Sequence, residues 1–323
     1  MTPVRLLNTE MLFVLAGAFL LLVAWRIARE VDHPRRWGSA AFWGLLGVTL
    51  ALGPKLPPVV IGYAVLAMVA LAATGQVKRG NAATTSVAER ASSAAGLGNR
   101  VFLPALLIPA VAVLGSLTLE KLHVGGVWLV NPKQVTLLSL GAGVVCALFA
   151  GLRLTGERPV AAVDEGSRLV QSIGWALVLP QMLAALGAIF AKAGVGEAVA
   201  DIVGRVLPTQ YPFVAVMAYC LGMALFTICV GNAFAAFAVI TGGIGLPLIV
   251  LQHHGNPAIM AAIGMLSGYC GTLLTPMAAN FNLVPAILLD LPDKHGVIKA
   301  QAPMAAVILG VNVLLMWLCV YRF

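Results

Sequence analysis

Residues 211–250 read YPFVAVMAYCLGMALFTICVGNAFAAFAVITGGIGLPLIV, forty positions without one charge. As a single straight helix the stretch would run about 60 Å at 1.5 Å per residue, twice the roughly 30 Å hydrocarbon core of a bilayer. It must therefore turn. The turn falls at Gly231-Asn232, with a second flexible run at Thr241-Gly242-Gly243-Ile244-Gly245. Two forms fit this pattern. One is a re-entrant hairpin whose Gly-Asn tip sits at mid-depth, and the other is a pair of complete spans joined by a tight surface turn. Both return the chain to the side from which it entered.

The rest of the sequence is of the same kind. Of 323 residues, 60% are hydrophobic and 10% charged, against roughly 25% charged in a soluble domain. Apolar runs at 11–25, 38–52, 59–73, 101–117, 134–152 and 169–191 precede the uncharged stretch, which makes this an all-α polytopic membrane protein. The first run continues into RIARE without a small-residue cleavage site, so it reads as a retained helix. The net charge of +8 does not indicate nucleic acid, because the basic residues are scattered through short loops with no aromatic interleaving. All five cysteines, at 146, 220, 229, 270 and 319, lie in apolar runs with no CxxC pairing. They read as small core residues, with neither a disulfide framework nor a metal centre indicated.

Charge also sets orientation. The loops after the first, third and fifth runs hold eleven basic residues, Arg26, Arg29, Arg35, Arg36, Lys78, Arg79, Arg90, Arg100, Arg153, Arg158 and Arg168. The amino terminus and the alternate loops hold six, Arg5, Lys55, Lys121, Lys133, Lys192 and Arg205. Since basic residues concentrate on the cytoplasmic face, the amino terminus faces outward, and Lys294 and Lys299 fall in the last cytoplasmic loop. Trp25 and Trp37 flank the first basic loop as interfacial aromatics do. Residues 1–73 read as a three-helix scaffold, 74–100 as a polar cytoplasmic linker, and 101–323 as the functional domain. Within 191–208, Val195, Val199 and Val203 oppose Glu197, Asp201 and Arg205 at helical spacing, which predicts an amphipathic helix at the outer interface. Glu197 and Asp201 share its solvated face and do not form a catalytic pair.

A second interruption lies at about 257–289. Thirty-three residues would make a helix of about 50 Å, and Pro276 lacks the N–H that a helix interior needs, freeing backbone groups around Thr272. Freed groups survive in lipid only where protein or a watery cavity meets them. Thr272, Thr275, Asn280 and Asn282 supply hydrogen bonds on either side of this break. The pattern fits an interrupted helix at a ligand cavity, and it also fits a proline kink whose polar groups are satisfied locally. Gly264 and Gly268 form a GxxxG pair suited to close helix packing. The expected architecture is about eight transmembrane helices, one re-entrant hairpin (about 211–250) and one broken helix (about 257–289). Two interrupted elements in succession point to the binding site of a secondary transporter. Gly231, Asn232, Ala233, Thr272, Thr275, Pro276, Asn280 and Asn282 are the candidate substrate and ion ligands.

The order of three spans, an interfacial helix, a hairpin with a Gly231-Asn232-Ala233 tip, a span broken at Thr275-Pro276 and a final span resembles one repeat of the ion-transporter superfamily of dicarboxylate, citrate and gluconate carriers, with three extra amino-terminal helices. That superfamily often has Ser-Asn-Thr at the tip. Here Gly231 and Ala233 replace the hydroxyl residues, so no hydroxyl contact to a carboxylate carries over. The segments SIGWALVLPQMLAALGAIF and GNAFAAFAVITGGIG are similar to a bacterial inner-membrane family, the domain of unknown function number nine hundred seventy-nine. The resemblance implies a multi-pass permease of the bacterial inner membrane for a small carboxylate such as 5-oxoproline, with Na+ or H+ as coupling cation and no other cofactor. Such carriers use two inverted repeats and this chain supplies one. A smaller companion membrane subunit or a second copy is therefore implied. The alternative is a structural or assembly subunit with no transport site of its own. Enzymatic activity is not expected, because His33, His123, His253, His254 and His295 lie in loops and neither HExxH nor GxSxG occurs.

Overall fold

The computed structural model describes residues 7–80, 85–119, 123–124, 127–128, 130 and 134–323. Arg5, Lys121 and Lys133 of the charge count lie outside them. Among the described residues the chain is helical apart from a two-residue antiparallel ladder pairing His123 with Trp128 and Val124 with Val127. Six helices are long and apolar enough to cross a membrane: Thr9–Arg29, Ala88–Leu119, Val135–Thr155, Pro212–Val230, Ala233–Gln252 and Gly296–Cys319. Pro58–Ala73 and Pro257–Leu273 are apolar but shorter. A multi-pass membrane protein is what these helices describe. Both arms of the 211–250 element are among the six, so the expected division into eight spans and a re-entrant hairpin does not match the helix lengths.

The chain forms two compact units, Met1–Gly174 and Trp175–Phe323. In the first, α1 (Thr9–Arg29) is capped by Asn8, whose side chain accepts from the Glu10 N–H, and it packs on α2 (Arg36–Leu52). A Cβ placed at Gly17 would stand 2.6 Å from the Gly47 carbonyl oxygen, so the backbones meet directly and bury Val23, Ile27, Phe42 and Trp43 beside them. Next comes α3 (Pro58–Ala73). Residues 76–80 are tied to the helices of this unit by hydrogen bonds. The Ser39 hydroxyl lies 3.1 and 3.2 Å from the Gln76 and Lys78 carbonyl oxygens and accepts the Lys78 N–H at 3.0 Å, while the Gly80 N–H donates to the buried Gln171 side chain at 3.0 Å. A helix follows, α4 (Val87–Leu97), started by a reciprocal capping box between Ser86 and Glu89. The division between the two units falls at Gly174.

The first unit ends with α5 (Leu103–Leu119), α6 (Val135–Thr155) and α7 (Pro159–Ile173). The 169–191 run, expected as one crossing, is interrupted. Gly174 takes φ +62°, a left-handed conformation that ends α7, and a short 3-10 segment, Gly174–Val178, precedes α8 (Leu179–Lys192). At fourteen residues, α8 reaches about 21 Å and is too short to span the core by itself.

The second unit continues with α9 (Val195–Val206), α10 (Pro212–Val230) and α11 (Ala233–Ile240), which runs on as a π-wound segment, Thr241–Gln252, containing Pro247. Then come α12 (Pro257–Leu273), the short α13 (Leu283–Leu288) and α14 (Gly296–Cys319). Tyr219, Met223, Ile240, Met260 and Met316 are buried in its core. The glycine pair of α12 does what its spacing indicates: Gly264 lies against the Tyr219 ring and Gly268 against Met223, with Gly271 against the Ala224 carbonyl. The amphipathic helix is present as α9, with Asp201 and Arg205 paired at 2.8 Å on its exposed face. Its Val195, Val199 and Val203 pack on the core, and Gly196 meets Gly243 backbone to backbone, so α9 rests along the π-wound arm.

Candidate functional site

The tip of the long apolar stretch is a helix-to-helix turn built by two residues. Gly231 takes φ +79°, which a residue with a Cβ adopts only under strain, and its N–H closes α10 on the Thr227 carbonyl. Asn232 then caps α11, its Oδ1 accepting from the Phe234 and Ala235 N–H groups at 2.8 and 3.3 Å. That oxygen is committed to the helix, leaving the Asn232 amide N–H groups as what the residue can offer a ligand.

Opposite the tip stands the interrupted element. After Leu273 the chain is non-helical until Leu283, and the carbonyls that lose their helical donors find side chains instead. The Asn282 amide donates to Thr272 O at 2.8 Å and to Thr275 O at 2.6 Å, and Gln301 on α14 donates to Leu273 O at 3.2 Å and to Asn282 Oδ1. Thr275 Oγ1 donates to Ile228 O on α10 at 2.8 Å and accepts from the Met277 N–H, tying the break to the hairpin. Gly231 completes the contact: a Cβ there would fall 2.6 Å from Met277 Cβ and 2.8 Å from its carbonyl carbon.

Where the two elements meet there is a cavity of about 320 Å³, lined by Gly231, Asn232 and Ala233 of the tip and by Thr272, Met277 and Asn280 of the break, with Leu183, Phe234, Tyr269, Ala279 and Phe281 around them. Of the eight residues singled out by sequence, five therefore share one cavity. Asn280 is exposed on it, and Phe234 packs edge-on to Tyr269 with ring centroids 6.3 Å apart. The other three do not line it. Thr275 and Asn282 are 2% and 1% exposed and hold the break together, while Pro276 is exposed outside the cavity. Sequence reasoning missed Gln301 and Tyr269. Gln301 carried a readable signal, one of two amides, with Asn312, inside the last apolar run.

The site lies at one end of the long helices of its unit. At one end of this unit Phe213 packs edge-on to Trp317, Tyr321 Oη donates to Pro212 O and the Asn256 N–H donates to Val320 O. This aromatic collar is what a membrane interface selects. The tip lies nineteen residues along α10 from that end, or about 28 Å, nearly a full bilayer core. The break lies at the same far level, because Gln301 follows Lys299 by two residues, about 3 Å along α14. Lys299 pairs with Asp293 at 2.7 Å, and this bond holds the Asp293 carboxyl below its ordinary range. Tip, break and cavity stand toward the end that carries the Asp293–Lys299 pair.

Cys220 and Cys270 are buried, Cys319 is half-buried, and Cys146 and Cys229 are exposed, none bonded to another. Among the described residues no three His, Cys, Asp or Glu side chains gather as a metal would need. A family model described as "Protein of unknown function (DUF979)" matches residues 10–321. No curated protein and no solved structure matches the chain.

Proposed function

The chain belongs to the DUF979 family, and from the geometry of the cavity we propose that it is a subunit of a secondary transporter that binds a small carboxylate, 5-oxoproline or a close analogue, between the hairpin tip and the broken helix. One observation carries this reading: a tight helix-to-helix turn and a broken helix converge on one polar-and-aromatic cavity, where amide groups are open to a ligand. The Asn232 and Asn280 amides offer the donors and the aromatic rings cover the apolar part of a small ring. Apart from the tyrosine hydroxyl, no ionisable side chain lines the cavity, so a co-bound Na+ or H+ compensates the substrate's charge. One repeat is present, so the transporting unit includes a companion subunit or a second copy in the bacterial inner membrane.

The test is thermal stabilisation of the purified chain by small carboxylates with and without Na+. The reading expects a shift with 5-oxoproline that Asn280→Leu abolishes without lowering the unliganded midpoint. Absence of any shift with a panel of small carboxylates, for the chain alone and for the chain purified with its companion, counts against it. A second reading has its own support. Thr275, Asn282 and Gln301 are fully engaged with each other and with freed carbonyls, as a break serving only assembly would require. That role predicts normal uptake in Asn280→Leu and loss of companion binding when the break is disturbed.

A further inference from the structure

The turn between α1 and α2 carries positive charge that the fold does not use. Arg35 and Arg36 have no carboxylate partner among the described residues, whereas Arg26, in the last turn of α1, is paired with Asp164. They border a separate cavity of about 430 Å³, lined also by His33, Trp37, Gly38 and Gln76. Helix α2 begins there without a side-chain cap, so its first turn presents backbone N–H groups and the positive end of the helix dipole. His33 lines the same cavity at 5% exposure. Its Nδ1 accepts the Arg35 N–H at 3.1 Å, which leaves the proton on Nε2, and that atom has no partner. Trp37 is 66% exposed and lies under the Arg36 guanidinium at 5.0 Å, and Arg29 sits over the exposed Trp25 at 4.1 Å. Indole rings stacked with arginines at the ends of two apolar helices mark the headgroup level of a bilayer.

We propose that this turn is a phosphate-binding site, with Arg35 and Arg36 as the charged ligands, the first-turn N–H groups of α2 as neutral donors, and Trp37 as the interfacial anchor. The ligand is a phosphate group, carried by an anionic phospholipid or free in solution. Arginine is suited to either source because its planar fork grips phosphate in a bidentate manner. The site is distinct from the cavity at Asn232 and does not depend on the transport reading.

The experiment uses the full chain in nanodiscs of phosphatidylcholine alone or mixed with phosphatidylglycerol, and in phosphatidylcholine discs with added inorganic phosphate, reading the thermal midpoint and lipid retained in native mass spectrometry. A rise with phosphatidylglycerol alone assigns a lipid headgroup, and an equal rise with inorganic phosphate in phosphatidylcholine discs assigns free phosphate. The Arg35→Ala/Arg36→Ala variant should weaken binding roughly thirtyfold, the product of about fivefold for each arginine. The double lysine variant should recover part of it, and Arg158→Ala should change nothing. The proposal is overturned if wild type responds to neither source, or if the double alanine variant, equally stable in phosphatidylcholine, responds as wild type does.

Discussion

Asn282 shows how one side chain can hold a broken helix together. Its amide serves two carbonyls, Thr272 O and Thr275 O, and its own oxygen is held by Gln301. Asn282→Leu would orphan both carbonyls in a site that is 1% exposed, at about 1–3 kcal/mol for each buried group left unmade. A lower unfolding midpoint in detergent, read by intrinsic fluorescence, checks this, and Gln301→Leu should show a smaller drop. Gly231 is a second residue fixed by geometry. Gly231→Ala must hold a Cβ at φ +79° against the Met277 backbone, at about 1–3 kcal/mol, and the same assay measures it. Asn232 divides its roles between Oδ1 and the amide nitrogen. Asn232→Ser keeps an Ncap acceptor and should leave stability nearly unchanged, whereas Asn232→Ala should cost about 1 kcal/mol. Both remove the amide donors and should weaken carboxylate binding alike.

At the scale of elements, the two interruptions were legible and their surroundings were not. Gly-Asn within forty uncharged residues had to be a turn, because no helix of that length fits a bilayer. Thr-Pro within thirty-three residues marked a break or a kink, because proline removes a donor. Length arguments fix that a chain turns without fixing the depth at which it does so. The aromatic collar and the Asp293–Lys299 pair mark opposite ends of the second unit, and each is assembled only in three dimensions. Gly174 was missed for a different reason: glycine is common inside transmembrane helices, and nothing in its apolar neighbours announces a left-handed φ. The tie from Gln301 to Asn282 likewise joins residues nineteen apart in sequence, beyond any local pattern. The packing of α9 on the π-wound arm, through Gly196 and Gly243, is also a tertiary fact. Gly243→Val should separate the two helices at about 1–3 kcal/mol for an overpacked contact, seen as faster proteolysis of α9 in detergent.

For the whole molecule, the account joins a charge-oriented helical chain to one cavity at the end of its second unit. Orientation follows from thirteen basic residues assigned to the cytoplasmic face against seven outside once Lys294, Lys299 and Arg322 are counted. Arg90→Cys should therefore resist a membrane-impermeant maleimide in intact cells and react after permeabilisation. The most direct measurement of the central claim is uptake of radiolabelled 5-oxoproline and small dicarboxylates into proteoliposomes holding the chain with its co-purified companion, compared with Asn232→Ser and Asn280→Leu assembled to the same extent. The account predicts saturable, ion-dependent uptake by wild type that falls at least tenfold in both variants, about 1.4 kcal/mol or more of lost binding. Uptake equal to wild type in both variants, or none by the wild-type complex with any small carboxylate, would contradict it.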